Sequence, residues 1–399
     1  MSRYRPYSPD QVELLPASVD EVLGSDHLCF FVHRVVERLD LGRFHEAYAS
    51  EGGVLYHPSL MLKVWLYGYA LGVTSTRRLE RRIVEDLALR YLAGGARPDH
   101  WALNAFRRRH GLAINDCFTQ VLELARQMGL RQLGTVAIDA TRIKASASPD
   151  KVVQEKRAQR ARARRRVRRW QQACDSDDSN EGAGSQVGVV DTAEMAPELE
   201  PLARPRRAAS RAVRRSTTDP DARFLRSRGG RFVLGYTGEI AVSDDHLIVA
   251  QRVTQAGNEN DALVPMVELV AATCAEPPAR VVADSGYDSN RNLDEMEQRR
   301  IEAWVPDSNL ARELNLGCPD PRGEQRCRDP RQIAMRQKMR SPQGRQIYRR
   351  RRAIVEPVFG TLKEQRNLRS FRLRGLDRVA IEFALAATAY NLTRLHRRA

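Results

Sequence analysis

Three acidic residues stand in settings suited to holding metal ions. Asp139 closes the apolar run Thr135-Val136-Ala137-Ile138-Asp139, and Asp284 closes Arg280-Val281-Val282-Ala283-Asp284. Glu356 lies in a basic, helix-like stretch that begins at Tyr348. A carboxylate at the end of a buried strand is costly unless a cation or another partner compensates it. Two strand-end Asp residues and one helical Glu can together hold two divalent cations, and such a pair clamps the attacking and leaving oxygens of an in-line phosphoryl transfer. The chain around them carries 66 Lys and Arg against 50 Asp and Glu, a net charge of +16. A carboxylate metal site inside so basic a protein points to a nucleic-acid phosphodiester as substrate.

The stretches around these residues are specific as a set. They are Val136 to Ala145, Thr218-Asp219-Pro220-Asp221-Ala222-Arg223, Ala283-Asp284-Ser285-Gly286-Tyr287 and Glu356-Pro357-Val358-Phe359-Gly360-Thr361-Leu362-Lys363. Near the beginning stand Tyr67-Gly68-Tyr69-Ala70-Leu71-Gly72 and Pro98-Asp99-His100-Trp101-Ala102-Leu103-Asn104, and near the end Ala389-Tyr390-Asn391-Leu392. With these in this order, the chain resembles the DDE transposases of bacterial insertion sequences over nearly its whole length. The resemblance implies an RNase H-like catalytic core with Asp139, Asp284 and Glu356 as catalytic and metal-binding triad. It implies terminal inverted repeats and target DNA as partners, and a homodimer or higher oligomer on that DNA. It also implies an order of steps, in which water first frees a 3′-OH end and that end then attacks target DNA. Some relatives carry a Tyr-Arg-Glu-Lys signature, which maps here onto Tyr348, Arg352, Glu356 and Lys363 as DNA-binding neighbours of the Glu. Tyr348 is one residue further from Arg352 than the pattern asks, and the Arg run 349–352 leaves the Arg open by one position.

Hard carboxylate oxygens select Mg²⁺, with Mn²⁺ as substitute, over Zn²⁺. Lys363 follows Glu356 by seven residues and Arg352 precedes it by four, so an unbroken helix would present all three on one face. Other acids compete as ligands. Asp288 follows Asp284 by four, whereas Asp219 and Asp221 suit a turn, and Asp244, Asp245 and His246 suit a hairpin tip. A site-specific nuclease would share the triad without strand transfer, and a non-catalytic DNA-binding descendant would have no need to keep it.

The elements that must position this chemistry read as an α/β, mixed-sheet RNase H-like catalytic core, preceded by an all-α N-terminal domain. Residues 1–125 read as helical, with starts before Leu28, Leu60 and Thr76, the last helix running through Tyr91. A short helix from Trp101 to His110 follows Pro98-Asp99 and carries Arg107, Arg108 and Arg109, which fits a helix-turn-helix DNA reader. Residues 130–150 and 216–399 read as the catalytic domain. Between them, 151–215 reads as a charged insertion, its first part a solvated basic helix and its middle acidic, Gly- and Ser-containing and disordered. The core resumes as a hairpin over 232–253, a helix from Asp261, a strand ending at Asp284, a helix from Asn290 and a strand over 303–306. A long loop is expected from Asp307 to about 342, then a helix with Glu356 and one from Val379 to Leu395.

Hydrophobic residues make up 42% of the chain, enough for a sizeable core. The excess of Arg over Lys suits bidentate phosphate contacts, and a GC-rich genome explains it equally well. None of the six cysteines has metal-ligand spacing, so free thiols are expected, with Cys318 and Cys327 near enough in sequence to touch. No apolar run reaches membrane-spanning length and no signal peptide opens the chain. These features lead to an expectation of a cytoplasmic, nucleoid-associated protein without a membrane partner.

Overall fold

The computed structural model describes residues 18–48, 55–154, 214–226, 230–316 and 329–398. Eight described helices open it: α1 (Val19–Leu23), α2 (Leu28–Val36), α3 (Gly42–Tyr48), α4 (Pro58–Ala70), α5 (Thr76–Glu85), α6 (Leu87–Leu92), α7 (His100–Arg109) and α8 (Gly111–Gln127). Their starts are chemically marked. Ser18 and Glu21 close a capping box on α1, and Asp99 accepts the Ala102 N–H at 2.7 Å to start α7. The single helix expected from 75 to Tyr91 is instead two. At Asp86 the backbone turns extended (φ −106°, ψ 120°), and its carboxylate caps the Leu89 N–H of the new helix at 3.2 Å. A short acceptor that serves equally well as an N-cap favours the break over continuation.

The sheet follows: β1 (Thr135–Lys144), β2 (Val152–Gln154), β3 (Arg214–Ser216), β4 (Arg223–Arg226), β5 (Phe232–Ser243) and β6 (Ile248–Thr254), then helix α9 (Leu263–Cys274) and β7 (Arg280–Val282). A 3₁₀ turn (Ser285–Tyr287), α10 (Asn290–Gln298) and β8 (Glu302–Trp304) complete it. The long β5 is antiparallel to β1 along one edge and to β4 and β6 along the other, and β1, β7 and β8 run parallel. Three antiparallel strands continued by two parallel ones, with crossover helices between, form an RNase H-like core. β4 is an addition that the sequence reading lacks.

Two corrections concern the rest. The expected loop from Asp307 to 342 contains α11 (Ser308–Leu316) and α12 (Pro330–Arg340), the second capped by Asp329 with Pro at its first turn. Residues 152–154, read as the start of a basic helix, pair antiparallel with 214–216 as a two-stranded ribbon. The remaining expectations for the insertion, and the Cys318–Cys327 approach, lie outside the described residues. Buried free thiols are seen at Cys29, Cys117 and Cys274. Among the described residues no helix is long and apolar enough to cross a membrane.

Helix α13 (Pro342–Gly360), a π-helical turn (Thr361–Gln365) and α14 (Leu376–His396) end the fold. α14 is buried on every side from 381 to 392. It packs on α4 and α8 with one side and on β6 with the other. Four alanines (384, 386, 387 and 389) let these neighbours approach closely. One continuous apolar core therefore runs from Cys29 in α2 to Leu395 in α14, joining the helical N-terminal part to the sheet.

Candidate active site

Pairing, rather than the end of a strand, positions the first two acids. β1 continues past Asp139 to Lys144 because β5 stays paired with it, as far as Lys144 opposite Gly235. The parallel ladder to β7 stops earlier, at Ala137 opposite Val282. Asp139 and Asp284 are each the second residue beyond that last pair. The charges of both act on the Arg351 guanidinium, which marks them as neighbours of one site. Asp139 is a mid-strand residue, 3% exposed, which corrects its expected strand-end place. Its Oδ1 accepts the Ala140 N–H at 2.8 Å. Asp284 caps the following 3₁₀ turn through the Gly286 N–H at 2.9 Å.

The third acid arrives on α13. Ser341 caps that helix through the Gly344 N–H at 3.0 Å, and Pro342 fits its first turn. Glu356 projects with its side chain 58% exposed, into a pocket lined also by Asp139, Thr141, Arg142, Glu259 and Lys363. Pro357 follows within the helix, and the regular turn then gives way to the π turn that carries Lys363. The uninterrupted helical face expected from Glu356 to Lys363 is thus broken. The wider turn nonetheless brings Lys363 to the same pocket, where its Nζ donates to the Thr141 hydroxyl. Single π turns inside helices recur at functional sites for this reason.

The signature residues divide differently from the expectation. Arg351, not Arg352, enters the site. Its guanidinium is 6% exposed, lies 3.3 Å from Asp139 Oδ2 and stacks 5.7 Å from the Tyr348 ring. Burial alone would lower its pKa, but the charges of Asp139 and then Asp284 outweigh this and the net shift is upward. Arg352 is half-exposed, donates to Asn315 Oδ1 at 2.8 Å and is 3.9 Å from Glu356. Tyr348, expected to bind DNA, is 5% exposed and packs with Val282, Trp304, Leu310 and Met339. The four-Arg run hid this division, since only helix rotation tells which Arg turns inward.

Arg107 is a second correction. At 2% exposure it cannot reach DNA. It donates to the Tyr69 hydroxyl at 3.0 Å and the Thr74 carbonyl at 3.4 Å, and stacks 4.5 Å from the Trp65 ring centroid. Arg108 and Arg109 are exposed. Arg107→Ala is accordingly expected to lower thermal stability by about 3 kcal/mol, the usual scale for breaking a buried charged network, and to leave the salt dependence of DNA binding alone. Arg108→Ala is expected to melt normally and reduce the salt slope by about one unit. Thermal melting and binding titrations at several salt concentrations check both.

The competing acids are engaged elsewhere. Asp288 has its carboxyl pushed up to about 6, chiefly by burial and then by Asp307, which Arg336 grips at 2.7 and 2.8 Å. Asp219 accepts from the Tyr236 hydroxyl and the Gly375 N–H, and Asp221 from the Leu376 N–H, so both organise the start of α14. Asp244 pairs with Arg350 and Asp245 with Arg398. His246, in left-handed backbone at φ 60°, contacts the Ile354 carbonyl.

The donor set of Asp139, Asp284 and Glu356 is carboxylate oxygen only, which fits Mg²⁺ or Mn²⁺. Among the described residues no three His, Cys, Asp or Glu side chains close on one point. The positive charge next to Asp139 is instead the Arg351 guanidinium. One buried donor supports the fit. The Tyr287 hydroxyl, fully buried, has no hydrogen-bond partner among the described residues. Burial, and then the negative charges of Glu259, Asp139, Glu239 and Asp284, hold its pKa well above the ordinary phenol.

A family model described as "Transposase DDE domain" matches residues 210–392, and one described as "Transposase domain (DUF772)" matches 17–109. No curated protein matches the chain. Among solved structures, the "Mos1 transposase paired-end complex with left transposon end" aligns over 90% of this chain and 100% of its own at 10% identity, but its TM-score of 0.20 carries no argument.

Proposed function

Because the chain belongs to the DDE transposases of insertion sequences, we propose that it binds the terminal inverted repeats of its element, cleaves there and joins the freed 3′ end to target DNA. The observation that carries this reading is the pocket lined together by Asp139, Glu356 and Lys363, with Asp284, like Asp139, two residues beyond the last β1–β7 pair. Two Mg²⁺ ions, when bound, would activate water or a 3′-OH and stabilise the charge on the leaving oxygen.

The chain's own residues do the remainder. Asp139 and Asp284, fixed by backbone hydrogen bonds to Ala140 and Gly286, supply a rigid pair of carboxylates with no rotamer search on binding. Glu356 offers its carboxylate from the solvent side, where DNA enters. Arg351 balances the buried negative charge, so that the site is stable before substrate arrives. Lys363 is placed to meet a phosphate beside the scissile one. The exposed Arg108 and Arg109 and the basic surface at large neutralise further phosphates. We read the helices up to residue 125 as the end-recognition part, the 130–150 and 216–399 segments as the catalytic part, and the working form on DNA as a dimer or larger.

Lys363→Ala tests the phosphate role. It is expected to slow cleavage about a hundredfold, the cost of one positioned electrostatic contact, and to lower the salt slope of cleaved-end binding by about one unit. Unchanged cleavage together with an unchanged slope would reduce Lys363 to a tether for Thr141. The overall reading is tested with the element's own ends, cut and uncut, offered with plasmid target in Mg²⁺. Joined products support a transposase. Cutting without joining identifies an endonuclease, and binding alone a non-catalytic descendant.

A further inference from the structure

Glu259 had no signal in the sequence, where it is one acid in the polar stretch Gly257-Asn258-Glu259-Asn260-Asp261. The fold carries it, from the connection between β6 and α9, to the same pocket as Asp139 and Glu356. Its Oε2 lies only 2.6 Å from the place a Cβ on Gly286 would take, and Asp284 Oδ1 lies 3.0 Å from that place. The two carboxylates thus crowd the same side of Gly286, and a side chain there would push them from their places. Tyr287, next in the chain, buries a hydroxyl without a partner in the field of Glu259, Asp139, Glu239 and Asp284. A buried donor in the field of four acids, yet bonded to none of them, is what a bound cation and its waters would satisfy. Of the four, Glu239 is already committed: it is fully buried and gripped by Arg252 at 2.5 Å and Thr254 at 3.3 Å.

Glu259 differs. Its side chain is 16% exposed and Arg142 is among its partners, at 3.3 Å. Arg142 is held better by others, donating at 2.9 Å to the Thr237 hydroxyl and at 2.9 Å to the Gly257 carbonyl. The ion pair is the weaker of Arg142's attachments, so Arg142 keeps its place when Glu259 is replaced.

Resting on the metal-site reading above, we propose that Glu259 is a fourth carboxylate facing the divalent cations, beside Asp139 and Asp284, with Arg142 as its counter-charge until a cation arrives. Removing the competitor should then strengthen cation binding, and removing the carboxylate should weaken it. An unaided structural role for Glu259 gives neither result.

The test is Mn²⁺ titration of the full chain without DNA, free Mn²⁺ being followed by electron paramagnetic resonance, with thermal melting alongside. Glu259→Gln is expected to weaken binding of one ion at least about tenfold, the lower bound set by what losing even a ligand-orienting partner costs, and to shrink the melting-temperature gain from Mn²⁺. Arg142→Leu is expected to tighten binding. It keeps the proposal open to refutation should the Gln variant fail to melt cooperatively. Asp139→Asn runs in parallel. Loss of Mn²⁺ in Asp139→Asn, with Glu259→Gln within twofold of the parent and Arg142→Leu no tighter, overturns the role of Glu259 alone. Parent-like binding by Asp139→Asn overturns the metal-site reading and this inference with it.

Discussion

Asp139→Asn is expected to lose DNA cleavage by at least about a thousandfold while still binding transposon ends. Three decades correspond to about 4 kcal/mol of barrier, the upper range for one preorganised electrostatic contact. Asp284→Asn and Glu356→Gln should behave alike. The amide is the right replacement at 139. Arg351 is buried and faces that carboxylate at 3.3 Å, and removing one member of a buried pair outright costs about 3–5 kcal/mol. Asp139→Ala would therefore confuse a lost ligand with a destabilised fold. Asn keeps the volume and an acceptor oxygen. Glu356 is exposed, so its replacement should leave the melting temperature unmoved. End-labelled DNA incubated in Mg²⁺ gives the cleavage rates, and gel-shift titration gives the binding. Any of the three variants cutting at near the parental rate drops out of the triad.

Deleting residues 1–125 is expected to abolish folding rather than merely end recognition. The removed helices include α4 and α8, which cover one side of α14. Ile381, Leu385 and Leu392 share one face of that helix, Ile381 lies against Gly111 of α8, and each is 8% exposed or less. Returning large apolar side chains to water costs roughly 1.5–3 kcal/mol each, and a domain has only about 5–15 kcal/mol in total. The truncated chain should be insoluble, or soluble without a cooperative melt or cleavage of pre-cut ends. A truncation that melts sharply would show instead that the sheet folds alone and that the shared core is a docked interface.

How far the sequence reaches is clear from particular residues. Apolar runs ending in an acid announce β1 and β7, because a buried strand tolerates few polar neighbours. That Asp139 and Asp284 each fall two residues beyond the same last pair is set by strand register between segments far apart in the chain, and no local pattern carries it. Arg107 looked like a DNA contact because charge is visible in sequence and helix rotation is not. The same blindness exchanged Arg351 for Arg352. The polar stretch after Asp307 offered no apolar periodicity, yet α11 and α12 form there because Asp329 caps and Arg336 and Arg340 find Asp307 and Glu313. Glu259 was unreadable for the simplest reason: only the folded connection between β6 and α9 brings it beside Asp139 and Glu356.

The small ribbon of β2 and β3 has a consequence for how this chain tolerates changes of length. Val152 faces Ser216 and Gln154 faces Arg214, so the chain departs and returns at one spot. Closing a segment whose ends are already held together costs an entropy that rises only with the logarithm of its length, about 0.6 kcal/mol for each doubling. Residues between 154 and 214 can therefore be gained or lost at little thermodynamic expense. β1 on one side and β4 on the other keep their places in the sheet whatever lies between. The ribbon is a clasp that insulates the spacing of Asp139, Asp284 and Glu356 from changes of length between 154 and 214.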